Sequence, residues 1–216
     1  TEGNPFPQLF EDIRVLGGKG KIHFFFKTPG KKSVIYGIQN KVISANVPFR
    51  QADDVLTLDT SALCGMWPRV ILEIKGVPQI NPVPAPLNGT LLLVPEMTDS
   101  GKPYVVWNSP EEVIKWKARF PKSGKYVFFC ITESAMHSCP WCGNRKVELC
   151  VNGECREIQL GIQEKIVNNC YPRAESNLGV FLIKNSDPVT ISLRTLDVLS
   201  EDAEKMNLIA LKIVFS

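Results

Sequence analysis

Short stretches in which apolar and polar residues alternate recur along the whole chain. Residues 21–27 read KIHFFFK, which places Ile22, Phe24 and Phe26 on one face of an extended segment. Residues 113–120 read VIKWKARF and alternate in the same way. A period of two residues is typical of β-strands with one buried face, so both segments are predicted to be strands.

The same pattern, interrupted by turn residues, predicts many short strands and little helix. The other predicted strands are residues 13–16, 33–38, 41–47, 55–59, 70–75, 90–95, 104–107, 125–131, 180–184, 189–194 and 208–215, with a hairpin over 146–160. Short helices are expected only at residues 109–112 and 200–205, and residues 163–169 fit either type of structure. Such a pattern indicates an all-β sandwich or barrel.

A proline-rich segment suggests how the chain is divided. Residues 78–86 read PQINPVPAP and contain four prolines. Proline cannot donate a hydrogen bond to a sheet ladder, so this segment is predicted to be a linker or a crossing at a sheet edge. We therefore expect two β-sandwich domains, residues 1–105 and 106–216.

Composition and charge narrow the function classes. The chain of 216 residues is 44% hydrophobic. Its net charge of +3 and its pI near 8.4 show an excess of positive charge that is too small to predict nucleic-acid binding. No apolar run is long enough to span a membrane. The chain has only two histidines and contains no GxGxxG, P-loop, HExxH, GxSxG or EF-hand pattern. We expect that the protein is not an enzyme.

Six of the seven cysteines lie close together in the second half of the chain. They are Cys130, Cys139, Cys142, Cys150, Cys155 and Cys170. An even, crowded set is typical of a disulfide framework, which favours a secreted or extracellular protein. We predict three disulfides among the six, with Cys64 left as a free and buried thiol.

One of these disulfides can be placed from the sequence. Residues 146–160 read KVELCVNGECREIQL, with Asn-Gly, a strong hairpin signal, at the centre. A two-residue loop places Cys150 opposite Cys155 at a pair without backbone hydrogen bonds. The Cα atoms of such a pair lie about 4.5 Å apart, which is at the short end of the disulfide range.

A zinc site is the alternative for part of the cluster. Cys139 and Cys142 have the CxxC spacing of a zinc knuckle, His137 is close by, and Cys150 and Cys155 would complete a thiolate set. The CPWC sequence is also typical of redox sites when it begins a helix after a strand. The Gly-Asn that follows ends the segment at once, so the pattern favours disulfides.

Four segments in residues 113–216 resemble the jelly-roll of carbohydrate-binding modules of the family 6/35 and malectin-like group. They are KARFPKSGKYVFFCI (117–131), VELCVNGECREIQL (147–160), NSDPVTISLRTLD (185–197) and NLIALKIVF (207–215). The resemblance implies a jelly-roll fold for the second domain and a glycan ligand. It also implies that structural calcium, common in such sugar-binding domains, is a candidate cofactor.

Aromatic residues in and beside the cysteine-rich loop are the predicted sugar-binding residues. They are His137, Trp141 and Tyr171. Sugars stack their apolar ring faces on exposed aromatic rings, while polar side chains bind the hydroxyls. The alternative for Trp141 is a buried position that covers a disulfide.

Two glutamates in the hairpin are a second candidate site. The predicted register sets Glu148 directly opposite Glu157, and like charges in this arrangement destabilise a sheet. Either calcium or Lys146, diagonally across the hairpin, could relieve the repulsion.

A basic run near the start of the chain is the third candidate. It contains Lys19, Lys21, Lys27, Lys31 and Lys32. Such a surface could bind a sulfated glycan or an acidic protein. The alternative is a solvated sheet face whose lysines prevent edge pairing.

The compartment and the function follow from these observations together. Asn88-Gly89-Thr90 is an N-glycosylation acceptor, which agrees with an extracellular location. We expect a secreted or surface, non-catalytic binding protein that recognises glycan through its C-terminal β-sandwich. The alternative is a secreted β-sandwich that binds another protein in adhesion, as a structural component or in host interaction.

Overall fold

The computed structural model describes most of the chain. The described residues are 3–98, 105–107, 109–134, 141, 144–161, 164–166, 171–184, 188–197 and 206–216. The chain divides into two compact units, Thr1–Leu91 and Leu92–Ser216. The predicted all-β class is confirmed, because the strands within these described residues form four antiparallel sheets.

The first unit is a β-sandwich of two sheets. Its strands are β1 (Ile13–Gly18), β2 (Lys21–Phe26), β3 (Lys32–Tyr36), β4 (Val42–Ala45), β5 (Phe49–Ala52), β6 (Val55–Asp59) and β7 (Arg69–Ile74). One sheet has the order β1-β2-β7-β4 and the other has the order β3-β6-β5. Alternate residues of both sheets, among them Ile22, Phe24 and Leu56, are fully buried in one core.

The second unit is also a β-sandwich. Its strands are β8 (Thr90–Leu93), in which the division between the units falls, β9 (Val105–Val106), β10 (Ile114–Ala118), β11 (Gly124–Ser134), β12 (Lys146–Val151), β13 (Glu154–Gln159), β14 (Glu164–Ile166), β15 (Arg173–Ile183), β16 (Val189–Thr195) and β17 (Met206–Phe215). The larger sheet has the order β14-β15-β11-β17-β8, with β9 beside β17, and the smaller sheet has the order β10-β16-β12-β13.

Two irregularities bend the larger sheet where its long strands meet. The pairing of β11 with β15 shifts between Phe128 and Phe129, and its pairing with β17 shifts between Ile131 and Thr132. Such bulges increase the local twist and alter the direction in which side chains point. Because the side chains alternate, Phe128 and Cys130 face the core, while Phe129 and Glu133 lie on the outer face.

The hairpin of β12 and β13 has the predicted register. Cys150 pairs with Cys155, and the two form a disulfide with their Cα atoms 4.0 Å apart. Arg156, on the edge strand β13, extends across to the other sheet of this unit. Its guanidinium lies 4.1 Å from the centre of the Phe181 ring and donates a hydrogen bond of 2.8 Å to the carbonyl of Val180.

The structure differs from the sequence prediction in three places. The proline-rich segment is part of the first unit, since Pro84, Ala85 and Pro86 are buried and Gln8 donates a hydrogen bond to the carbonyl of Ala85. Proline lacks a donor but is apolar, so it packs well where no ladder bond is needed. The division between the two units falls after Leu91.

The other two differences concern single elements. Strand β5 was not predicted, because its sequence FRQA has no alternation of apolar and polar residues. The short helix expected at residues 109–112 is a single turn, in which the Ser109 hydroxyl accepts a hydrogen bond from the amide of Glu111. The predicted helix at residues 200–205 lies outside the described residues, and Glu164–Ile166 is a strand.

Candidate functional site

The structure describes only part of the disulfide framework that was predicted from the six clustered cysteines. The Cys150–Cys155 disulfide is confirmed, and it removes both sulfurs from the alternative zinc set. Cys139, Cys142 and Cys170 lie outside the described residues. The prediction for Cys130 is wrong, because Cys130 is a free thiol.

The position of Cys130 on its strand explains this correction. It faces the core from the middle of β11, opposite Ser176 on one neighbouring strand and Leu211 on the other. Burial raises the pKa of its thiol well above the ordinary value, so the sulfur stays protonated and unreactive. Cys64 is free as predicted but exposed, contrary to the prediction that it is buried.

The difference in burial between Cys64 and Cys130 predicts how the two thiols react with a labelling reagent. In the native protein, iodoacetamide is expected to modify Cys64 readily and Cys130 only after unfolding, because thiol reagents react with an accessible thiolate. Peptide mass mapping before and after addition of denaturant checks this site by site. Fast native labelling of Cys130 would contradict the burial described for β11.

The two opposed glutamates of the hairpin are each paired with a basic side chain. The Nε of Arg194 lies 2.8 Å from the Glu148 carboxylate, and Lys146 forms an ion pair with Glu157. The Glu157 carboxylate also raises the pKa of Lys146, because it stabilises the charged ammonium. The basic side chains of Arg194 and Lys146 therefore relieve the repulsion between Glu148 and Glu157, for which calcium was the other candidate. Among the described residues, no group of three or more metal-binding side chains occurs.

The structure describes two of the three predicted sugar-binding aromatics. The indole Nε1 of Trp141 donates a hydrogen bond of 2.9 Å to the hydroxyl of Thr132, which is buried on the core-facing side of β11. Trp141 is therefore anchored and only partly exposed. Tyr171 is 41% exposed and lies two residues before Arg173 on β15. His137 lies outside the described residues.

The predicted lysine patch and glycosylation site remain predictions, with changed details. All five lysines are exposed, but Lys21 lies 3.8 Å from Glu73 and Lys27 lies 3.6 Å from Asp12, so two of them are neutralised locally. Asn88 is exposed in a turn. Its side-chain oxygen accepts a hydrogen bond from the amide of Val34.

A set of polar and charged residues on the larger sheet of the second unit forms the best candidate site. This outer-face site consists of Phe129, Glu133, Arg173, Glu175, Asn207 and Lys212. The pairing of strands brings them together from three segments that are distant in sequence. Glu133 on β11 lies opposite Arg173 on β15 and Asn207 on β17, and Phe129 lies opposite Lys212.

Two ion pairs organise the outer-face site. Arg173 donates hydrogen bonds of 3.1 and 2.7 Å from Nε and Nη2 to Oε2 of Glu133, whose side chain is 15% exposed. The ammonium of Lys212 lies 3.4 Å from the Glu175 carboxylate, with side-chain exposures of 18% and 12%. Because Glu175 and Lys212 are on the strands either side of β11, this second pair bridges that strand.

Asn207 is the feature of the site that packing alone does not explain. It is 8% exposed, and its side-chain oxygen has no hydrogen-bond partner within the described part of the chain. An acceptor that is buried without a donor costs about 1–3 kcal/mol. Its register beside Glu133 places this carboxamide next to the Glu133–Arg173 pair.

The outer-face site offers groups that can bind a ligand with hydroxyls. Charged groups that are already oriented by each other form strong hydrogen bonds to hydroxyls. The partly exposed ring of Phe129, 6.0 Å from the Lys212 ammonium, offers an apolar surface beside them. Sequence reasoning missed this site because its members approach each other only through the register of β11, β15 and β17.

Comparisons with known proteins identify the fold but no family. No protein-family model and no curated protein matches the chain. The chain is similar in structure to an α-L-fucosidase from Vibrio sp. strain EJY3, with a TM-score of 0.70 and 15% identity. The match covers 98% of this chain and 41% of the fucosidase chain, so this chain spans about two fifths of that enzyme.

Two further solved structures match with lower TM-scores. An isomalto-dextranase from Arthrobacter globiformis T6 has a TM-score of 0.33 and 10% identity over 95% of this chain and 39% of its own. The Cry4Aa toxin from Bacillus thuringiensis has a TM-score of 0.43 and 11% identity over 70% of this chain and 28% of its own. TM-scores this low do not show that either protein shares the fold of this chain. The fucosidase likeness shows the arrangement of the strands.

Within the described residues, no helix has the length and apolar content needed to cross a membrane.

Proposed function

We propose that the protein is a non-catalytic glycan-binding protein, and that the outer-face site of its second unit contacts the sugar. The unpartnered, buried oxygen of Asn207 beside two ordered ion pairs is the observation that carries this proposal. A sugar supplies what these groups lack, because its hydroxyls donate and accept hydrogen bonds in closely spaced pairs. Its apolar ring face fits the ring of Phe129.

The proposal also covers location and catalysis. The exposed Cys150–Cys155 disulfide suits an oxidising, extracellular environment. Glu133 and Glu175 each have a basic partner, an arrangement that favours hydrogen bonding to a ligand over proton transfer. The similarity to a chain described as an α-L-fucosidase makes fucosylated oligosaccharides the first ligands to test.

Substitution of Asn207 by leucine tests the role of the outer-face site. Because Asn207 Oδ1 has no partner to lose, Asn207→Leu is expected to leave the free energy of unfolding unchanged or to raise it by up to about 3 kcal/mol. The same change should weaken glycan binding by about tenfold or more, since a loss of about 1.4 kcal/mol is tenfold in affinity. Calorimetric titration and a melting curve measure the two effects.

The matched control is Asn144→Leu, which changes an exposed asparagine outside the site. It should leave the affinity unchanged. A chromogenic aryl α-L-fucoside should not be hydrolysed by the wild-type protein. A blank screen across neutral and fucosylated glycans would refute the glycan proposal, and measurable hydrolysis would refute the non-catalytic one.

A protein partner is the second candidate, and one observation favours it. Val180 and Leu182 lie on the same outer face and are 42% and 63% exposed, which is unusual for neighbouring apolar side chains. If the glycan screen is blank and Leu182→Asp abolishes binding to an extracellular protein while leaving the melting temperature unchanged, this alternative replaces the first.

A further inference from the structure

A row of two arginines and an aromatic ring crosses the outer face of the first unit. Arg14 on β1 pairs with Phe25 on β2, and Phe25 pairs with Arg69 on β7. Paired residues of antiparallel strands point to the same face, so the side chains of both arginines project from the same face as Phe25. With strands about 4.8 Å apart, the backbones of the two arginines lie about 10 Å from each other.

Trp67 orients one end of this row. The guanidinium of Arg14 lies 4.9 Å from the centre of the Trp67 ring, within the range of a cation–π contact. Trp67 has φ of +56°, a left-handed conformation that is strained for a bulky residue and that the following proline restricts further. Strain of this kind persists only where the surroundings enforce it, and it occurs most often at binding sites.

The charge of this face comes from the arginines rather than from the lysines. Lys21 and Lys27 are each neutralised by a neighbouring carboxylate. Arg14 and Arg69 are exposed, and neither has a carboxylate partner in the part of the chain that the structure describes. The row is therefore a positively charged strip with an aromatic ring at its centre.

We propose that this Arg14–Phe25–Arg69 row binds a polysaccharide that carries carboxylate groups. A guanidinium forms two parallel hydrogen bonds to a carboxylate, a geometry that a lysine ammonium cannot offer. Two guanidinium groups separated by the Phe25 ring match a polymer in which carboxylate groups alternate with the apolar faces of sugar rings. This site is independent of the glycan site proposed in the second unit, because its residues all belong to the first.

The experiment uses the full chain and polygalacturonate as the probe, with neutral dextran as the comparison. Binding to polygalacturonate and not to dextran is expected at low salt, and it should weaken as salt is added. The double variant Arg14→Gln/Arg69→Gln should weaken binding at least tenfold. The control Lys115→Gln/Lys117→Gln removes the same charge from exposed positions on β10, outside the row, and should weaken binding less than threefold.

Three results would overturn the proposal. Absence of polygalacturonate binding at low salt would do so directly. Equal weakening by the two double variants would mean that net charge alone attracts the polymer. Binding of poly-L-glutamate as tight as that of polygalacturonate would show that the face recognises acidic chains in general, including acidic proteins, rather than acidic sugars.

Discussion

Trp116→Ala is expected to lower the free energy of unfolding of the second unit by about 3–5 kcal/mol. Trp116 is 3% exposed on β10, and its indole Nε1 donates a buried hydrogen bond of 2.9 Å to the carbonyl of Val94. Truncation leaves a cavity and removes a buried hydrogen bond from the Val94 carbonyl, which keeps only the bond from the amide of Met97, and each loss is costly. Differential scanning calorimetry should show a fall in the melting temperature of about 10 °C or more for this unit.

Trp141→Ala is the matched comparison. Trp141 is only partly buried and forms one hydrogen bond, to Thr132, so its loss should cost less than about 2 kcal/mol. A larger loss of stability for Trp141→Ala than for Trp116→Ala would mean that the cysteine-rich side of the unit, and not β10, supplies the principal core contact.

Lys212→Met is the second change with a large expected effect. It removes the ammonium that neutralises Glu175, whose side chain is only 12% exposed, and an unpaired charge at such a site is expensive. We expect a loss of about 2–4 kcal/mol in the free energy of unfolding, measured by urea titration, which approaches the cost of breaking a buried ion pair.

The double variant Lys212→Met/Glu175→Gln distinguishes charge from packing. Because glutamine is neutral, the second substitution should restore at least half of the lost stability. If the double variant is as unstable as Lys212→Met alone, the lysine contributes through the packing of its methylene chain rather than through its charge.

The fold was largely predictable because its strands are short, amphipathic and bounded by turns. The alternation in KIHFFFK correctly placed Ile22, Phe24 and Phe26 in the core, where each is at most 1% exposed. The Asn-Gly turn correctly set the register of the Cys150–Cys155 pair. Both predictions depend only on neighbours along the chain.

Features that depend on distant strands were not predictable in this way. An even number of clustered cysteines suggested that Cys130 is bonded, but its side of β11 is decided by packing against β15 and β17. The outer-face site depends on the same pairing. Glu175 and Lys212 meet across the regular stretch of β11 that lies between its two bulges, and the position of those bulges cannot be read from the alternation of apolar and polar residues.

The edge strand β13 has a consequence for how copies of this protein behave at high concentration. Glu154 and Arg156 pair with the buried Val151 and Leu149, so the edge strand directs charged side chains toward the interior side of the sandwich. A strand from another molecule that paired with β13 would have to displace the contact of Arg156 with Phe181 and leave these charges without water. The open end of this sheet is therefore protected against edge-to-edge association and fibril growth.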